Sequence, residues 1–112
     1  MSMISLTSSS SNHNSKLYFS KYELNLILSC YSFGVSIGSW KDYSINYNNK
    51  EAKFCFYKHT LVSPEYALIK YKKNKKNKFT YRLKIGEKNN KDMENIDKLI
   101  TYLKRKNIKI VK

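Results

Sequence analysis

The sequence predicts an α+β fold: a helix, a four-stranded antiparallel meander and a second helix, with both helices packed on one face of the sheet. Two stretches repeat apolar residues at helical spacing, and they flank a longer stretch in which apolar and polar residues alternate. Turn-forming residues divide that central stretch into four segments, as expected for strands joined by short connections. An antiparallel sheet beneath two helices would bury all of these apolar sets in one core.

The length of the chain favours one domain. At 112 residues it is too short for two independent hydrophobic cores. Residues 1–16 are rich in Ser and Asn and have too little apolar surface to offset the entropy of ordering them. We therefore expect a disordered tail over residues 1–16 and a single α+β domain over residues 17–112.

The first helix is predicted to begin after Ser20. The sequence Ser-Lys-Tyr-Glu at 20–23 is a capping box, in which the Ser20 hydroxyl and the Glu23 carboxylate accept hydrogen bonds from free amides at the helix start. Apolar residues then recur at helical spacing at Leu24, Ile27, Leu28, Tyr31 and Val35. We expect this helix to be mostly buried and to end at Gly34, because glycine readily adopts the left-handed conformation that ends helices.

Four strands are predicted between the helices, because apolar residues occupy every second position there. In chain order they are residues 42–47, 52–57, 66–71 and 79–85. Asn and Lys residues at 48–50 supply turn chemistry for a hairpin, and a Lys- and Asn-rich turn at 72–78 joins the last two strands.

The second helix is predicted to begin at Asp92, as its N-cap. Its apolar face consists of Ile96, Leu99, Ile100 and Leu103. The basic residues 104–106 suit the negative end of the helix dipole. Beyond them, Ile108, Ile110 and Val111 could add a short edge strand to the sheet.

The charge of the chain is strongly positive. It has 22 Lys and Arg against 8 Asp and Glu, for a formal net charge of +14. Such a chain attracts polyanions at low salt. The abundance of Lys, Asn, Ile and Tyr with few arginines is also what an AT-rich coding sequence produces, so the charge by itself does not establish a nucleic-acid binder.

Several features predict a cytoplasmic protein. The two cysteines, Cys30 and Cys55, have no ligand-type spacing and are expected to be buried free thiols in a reducing compartment. Residues 1–15 lack the charged start and apolar run of a secretory signal. The uncharged stretch 24–40 contains Ser and Asn and is short for a membrane span, so we expect no membrane helix.

No residue pattern typical of an enzyme is visible, and we expect a non-enzymatic protein without cofactor. His13 falls in the predicted tail and His59 near a loop, and no Ser/His/Asp or paired-carboxylate spacing accompanies them. Cys55 and His59 would supply two metal ligands, whereas a tetrahedral site needs four. No metal site is therefore predicted.

Two candidate sites remain. A basic hairpin could bind phosphates and stack bases, and its residues are Lys70, Lys72, Lys73, Lys75, Lys76 and Lys78 with Tyr71 and Arg82. The alternative is a solvated turn whose aromatic neighbours point into the core. Trp40 and Asp42 could line a pocket, or Trp40 could close the core while Asp42 caps a turn.

Part of the sequence resembles a known family. The segments are Phe-Ser-Lys-Tyr-Glu-Leu at 19–24, the helical Ile27, Leu28 and Tyr31, Trp-Lys-Asp-Tyr-Ser-Ile at 40–45, Ala-Lys-Phe at 52–54 with Phe56, and more loosely Pro64, Tyr66 and Lys-Ile-Gly at 84–86. Over about residues 18–104 they resemble a family of short, uncharacterised alphaproteobacterial proteins, the domain of unknown function 2794. The resemblance implies a bacterial cytosolic setting and carries no assigned activity.

The sequence therefore favours a basic binding module for an anionic partner, such as RNA, a ribonucleoprotein surface or an acidic protein. The alternative is a protein-interaction or assembly domain whose lysines only keep it soluble. The sequence leaves the oligomeric state open.

Overall fold

The computed structural model describes residues 15–59, 63–73, 78–87 and 89–111, with side chains described as far as residue 107. It contains two helices and five strands, in the order α1 Lys21–Ser36, β1 Asp42–Tyr47, β2 Glu51–Tyr57, β3 Tyr66–Lys72, β4 Phe79–Ile85, β5 Asn89–Met93 and α2 Ile96–Val111. The predicted α+β class is confirmed. The first 14 residues of the predicted tail lie outside the described residues.

The five strands form one antiparallel meander in which each strand pairs with its neighbours in the chain. Phe54 of β2 lies opposite Leu68 of β3, which lies opposite Leu83 of β4, and all three side chains are fully buried. The same core includes residues of α1 such as Ile27 and residues of α2 such as Leu99. Both helices therefore pack on one face of the sheet, and no described element covers the other face.

The predicted number of four strands is wrong, because Asn89–Met93 form a fifth. This segment reads Asn-Asn-Lys-Asp-Met and has no apolar alternation, so its sequence does not resemble a strand. It becomes one by pairing with β4, which places Asp92 opposite Arg82. Edge strands are often polar in this way, since only one side of their backbone is paired.

The predicted start of the second helix is also wrong, since Asp92 lies in β5. Asn95 caps the helix instead: its side-chain oxygen accepts from the backbone amides of Asp97 at 2.8 Å and Lys98 at 3.2 Å. The helix continues through Val111, so the apolar residues near its end do not form an edge strand.

The predicted capping box of α1 is confirmed. The Ser20 hydroxyl accepts from the Glu23 amide at 3.1 Å, and the Glu23 carboxylate accepts from the Ser20 amide at 2.8 Å. The expectation that α1 is mostly buried is wrong, because Phe33 and Val35 are 41% and 44% exposed. Only one side of α1 meets the core, and no described layer covers its other side.

The predicted end of α1 at Gly34 is wrong, since the helix runs on to Ser36 and the positive backbone angle occurs at Gly38, with φ of 81°. Gly34 has a different role, because a Cβ atom there would lie 2.1 Å from the Trp40 ring. Glycine therefore lets the indole pack directly on the backbone of the helix.

Neither helix in the described part of the chain is long and apolar enough to cross a lipid bilayer.

Candidate functional site

The lysines of the predicted basic hairpin do not form one surface, because Lys70 is buried. Its strand position places it on the helix side of the sheet, in line with Tyr66 and Leu68. Its ammonium lies 2.8 Å from a Glu23 carboxylate oxygen and 2.9 Å from the Tyr18 carbonyl oxygen, and 4.3 Å from the centroid of the Phe79 ring. Lys70 is therefore not available to a partner.

Glu23 is the centre of this buried polar network. Its carboxylate accepts hydrogen bonds from the Lys70 ammonium, the Tyr81 hydroxyl and the Ser20 amide. Burial acts to raise the pKa of Glu23, but the hydrogen bonds from Lys70, Tyr81 and Ser20 together lower it below its usual value. Burial and the neighbouring Glu23 carboxylate raise the pKa of Tyr81. The network joins the start of α1 to the middle of the sheet.

The other lysines of the predicted hairpin site divide into two groups. Lys72, Lys73 and Lys78 are exposed at the end of the sheet where β3 and β4 are joined. Lys75 and Lys76 lie outside the described residues. Lys72 lies on the helix side of the sheet, as Lys70 does, and its ammonium is 5.5 Å from the centroid of the Phe79 ring. Of the predicted hairpin lysines that the structure describes, Lys73 and Lys78 therefore remain for contact with an anion on the other side.

Trp40 and Asp42, the predicted pocket residues, have separate roles. Trp40 is 1% exposed, its ring centroid lies 4.5 Å from that of Phe56, and its indole N–H donates to Glu65 at 3.0 Å. Asp42 is exposed, and its side chain accepts from the adjacent amide of Tyr43 at 2.8 Å. Trp40 thus belongs to the core, and Asp42 serves the local backbone.

The remaining predicted residues, Tyr71 and Arg82, meet on the face of the sheet that the helices leave uncovered, the open face. Arg82 makes two hydrogen bonds to Asp92, from Nε to Oδ1 at 2.8 Å and from Nη2 to Oδ2 at 3.1 Å. The guanidinium carbon lies 5.2 Å from the centroid of the Tyr71 ring, and Nη2 is 3.3 Å from its hydroxyl. The hydrogen bonds from Arg82 lower the pKa of Asp92, and those to Asp92 raise the pKa of Arg82.

Two shallow grooves lie on the open face. The first, of about 420 Å³, is lined by residues that include Ile69, Tyr71 and Arg82. The second, of about 380 Å³, is lined by residues that include Cys55 and Lys84. Lys53 lines the second groove and lies opposite Ile69 in the sheet, which lies opposite Arg82, so the two grooves adjoin across β2, β3 and β4.

The floor of these grooves is apolar or small, and their walls are basic. Cys55, Ala67 and Ile69 are buried although they point away from the helices. Basic side chains outnumber acidic ones among the lining residues: Lys50, Lys53, Lys72, Arg82 and Lys84 against Glu51 and Glu87. One of the lysines, Lys53, has a carboxylate oxygen of Glu51 3.9 Å from its ammonium. Arg82 is paired with Asp92, so Lys50 and Lys84 are the cations of the groove walls on this face that have no ion pair among the described residues. The open face therefore combines an apolar floor with these two unpaired lysines.

The sequence interpretation did not include Lys53, Lys84 and Asp92 among the candidate site residues, and it took Asp92 for a helix cap. The first two occupy outward positions in the predicted alternation, so the period-2 pattern could have placed them beside Arg82. Asp92 had no such signal, because β5 has no strand-like pattern of its own.

The described residues show no metal or nucleophile centre. Among them, no group of three or more His, Cys, Asp and Glu residues could hold a metal ion. Both cysteines are free and buried, Cys30 in the core and Cys55 on the opposite face of the sheet. Burial raises the pKa of the Cys30 thiol to about 11, so it stays protonated at neutral pH.

Comparison with known proteins gives a match to one family. A family model described as "Protein of unknown function (DUF2794)" matches residues 17–96, which include α1 and the whole sheet. No curated protein and no solved structure matches the chain.

Proposed function

Because the chain belongs to the DUF2794 family, whose description assigns no function, we propose one from the structure: a non-enzymatic module that binds single-stranded RNA on the open face of its sheet. The observation that carries this proposal is the adjoining pair of grooves, with basic walls and an apolar floor, on the uncovered side of β2, β3 and β4.

The chemistry of these grooves fits an unpaired nucleic-acid strand. Proteins that bind single strands combine a positive groove that follows the phosphates with aromatic or apolar surfaces for the bases. Lys53, Lys84 and Arg82 supply positive charge here, and the rings of Tyr57 and Tyr71 lie on the same face of the sheet. Proteins that recognise RNA typically bind unpaired bases that are splayed out of the strand and stack on aromatic rings of this kind.

The exposed lysines at the β3–β4 end extend the positive surface beyond the grooves. Lys73 and Lys78 are exposed on either side of the β3–β4 connection, and the charge of Lys73 acts on Asp92 of the open face. Each phosphate that a lysine neutralises releases condensed counterions and so adds salt-sensitive affinity. A strand crossing the open face would meet Lys73 and Lys78 at one end.

We place the module in the bacterial cytoplasm, where RNA is abundant. Its two free thiols support a reducing compartment, since paired cysteines are usual in oxidising ones. An acidic protein is the other anionic partner whose carboxylates the same lysines could bind.

The test compares two triple variants of the full chain in binding to a fluorescent 12-nucleotide oligouridylate, measured by anisotropy over a range of salt. The first, Lys50→Gln/Lys53→Gln/Lys84→Gln, removes charge from the grooves. The second, Lys21→Gln/Lys98→Gln/Lys104→Gln, removes the same charge from exposed positions on the helices. The log–log salt slope should flatten by about 2 in the groove variant, at about 0.7 for each phosphate contact, and much less in the helix variant.

Equal losses from the two variants would show generic attraction to a basic protein and would overturn the proposal. Circular dichroism of both variants checks that each remains folded.

The alternative of a protein-interaction domain rests on a different surface, the exposed side of α1. Phe33 and Val35 are exposed there, and no charged residue occurs between positions 24 and 40. A pull-down from native lysate with and without nuclease separates the two functions. Partners that survive nuclease and are lost with Phe33→Ser would favour protein assembly, whereas partners released by nuclease would favour RNA.

A further inference from the structure

The guanidinium of Arg82 is already occupied by an anion from within the chain. Asp92 accepts from Nε at 2.8 Å and from Nη2 at 3.1 Å, each with a different carboxylate oxygen. This two-pronged geometry is the one in which arginine also binds the oxygens of a phosphate group. The carboxylate of Asp92 thus stands where two phosphate oxygens would bind.

Arg82 is held ready for such a ligand by its other neighbour. Its guanidinium lies over the ring of Tyr71, and Nη2 reaches the Tyr71 hydroxyl at 3.3 Å. The Tyr71 hydroxyl also donates to Asp92, but the stacking of the guanidinium on the ring does not involve the carboxylate, so the ring would still orient Arg82 after Asp92 had left. A preorganised arginine loses less conformational freedom on binding a ligand.

Asp92 is placed where it can be displaced. It lies on the edge strand β5, and its side chain is 37% exposed. The side chain of Arg82 is 38% exposed. Water therefore screens the pair, and exposed ion pairs of this kind contribute little to stability. The Tyr71 hydroxyl, 3.2 Å from Asp92 Oδ2, is its other side-chain partner among the described residues.

We propose that Arg82 is a phosphate subsite of the open face and that Asp92 is its built-in competitor, which an RNA phosphodiester must displace. This inference rests on the proposed function of the open face. Its consequence is that Asp92 sets the affinity: removing its charge strengthens RNA binding, and the gain depends on the presence of Arg82.

The test measures the affinity of the 12-nucleotide oligouridylate for Asp92→Asn and for a matched control, Asp42→Asn. Both changes remove one negative charge from the same face of the sheet, but Asp42 lies on the opposite edge and accepts from a backbone amide instead of an arginine. Asp92→Asn should tighten binding about two- to fivefold more than the control, the range that an exposed charge pair is worth.

A double-variant cycle locates the effect. In the Arg82→Gln background the gain from Asp92→Asn should fall to that of the Asp42→Asn control, because no guanidinium remains to be released. An equal gain in both backgrounds, or an equal gain from the two Asp variants, would overturn the competitor role and leave only net charge.

The phosphate subsite can also be tested on the unaltered protein. In ¹⁵N NMR, the side-chain Nε–H resonance of Arg82 should shift as the oligouridylate is added, because its acceptor changes from carboxylate to phosphate. An unchanged resonance at saturating RNA would refute the subsite. If instead the groove-lysine and helix-lysine variants lose RNA binding equally, the proposed function itself fails and the competitor role with it.

Discussion

Replacing Lys70 by Met, which has a similar length and no charge, should destabilise the domain severely. The side chains of Lys70 and Glu23 are 7% and 10% exposed, so the change leaves the Glu23 carboxylate buried without its cation. Removing one partner of a buried ion pair costs about 3–5 kcal/mol, because the remaining charge is desolvated and unpaired. This is a large share of the roughly 5–15 kcal/mol by which a domain is stable.

The pH dependence of the free energy of unfolding provides a second, independent test of the prediction. In the native protein the pKa of Glu23 is lowered, so its contribution is present above the usual carboxyl pKa and is lost as pH falls through the lowered value. In Lys70→Met, burial should dominate and raise that pKa. The folded state then gains protons more readily than the unfolded one, so this group should make the variant more stable as pH falls from 7 toward 5.

Urea denaturation of both proteins at several pH values measures these two effects, with the free energy of unfolding obtained by linear extrapolation. The double variant Glu23→Gln/Lys70→Met serves as the control, since it removes both charges and should lose the inverted pH dependence. A loss below about 1 kcal/mol at pH 7, the usual upper value for an exposed pair, would refute the buried network.

Three further predictions concern packing. Gly34→Ala should lower the free energy of unfolding by more than the roughly 1–3 kcal/mol typical of overpacking, because its Cβ would lie 2.1 Å from the indole ring. Gly38→Ala should lower it by only about 1–2 kcal/mol, the cost of a side chain in the left-handed conformation. Equal denaturant midpoints for the two variants would contradict this prediction. Ile27→Ala should cost about 2–5 kcal/mol and the exposed Phe33→Ala less than about 0.5 kcal/mol by the same measurement. Cys30, with its raised pKa and buried thiol, should resist alkylation by iodoacetamide at pH 8 in the native protein, and rapid labelling seen by mass spectrometry would show that it is accessible.

Local patterns predicted the part of the fold that depends on neighbours in the chain. The capping box at Ser20 and Glu23 marks the start of α1, because both hydrogen bonds join residues three positions apart. The alternation of apolar residues marks β1 to β4, because each of these strands buries one side against the helices. The meander follows from short connections between them.

Long-range contacts decided the rest. The polar segment of β5 is a strand because β4 offers it a free edge, and Gly34 lies inside α1 because Trp40, which follows the helix, packs against it. Neither effect is visible in the residues nearby.

The candidate site shows the same division. From composition and spacing the sequence located a basic region around the β3–β4 hairpin, and it included Tyr71 and Arg82. Lys70 and Lys72 lie on the same side of β3, and the sequence could not show that Glu23, 47 positions away in the chain, covers Lys70 and leaves Lys72 exposed. Nor could it pair Arg82 with Asp92, since that contact depends on the register between two antiparallel strands. The amino-acid composition sets how much positive charge the protein has, whereas the fold sets which charges are neutralised, because burial and pairing depend on residues that only folding brings together.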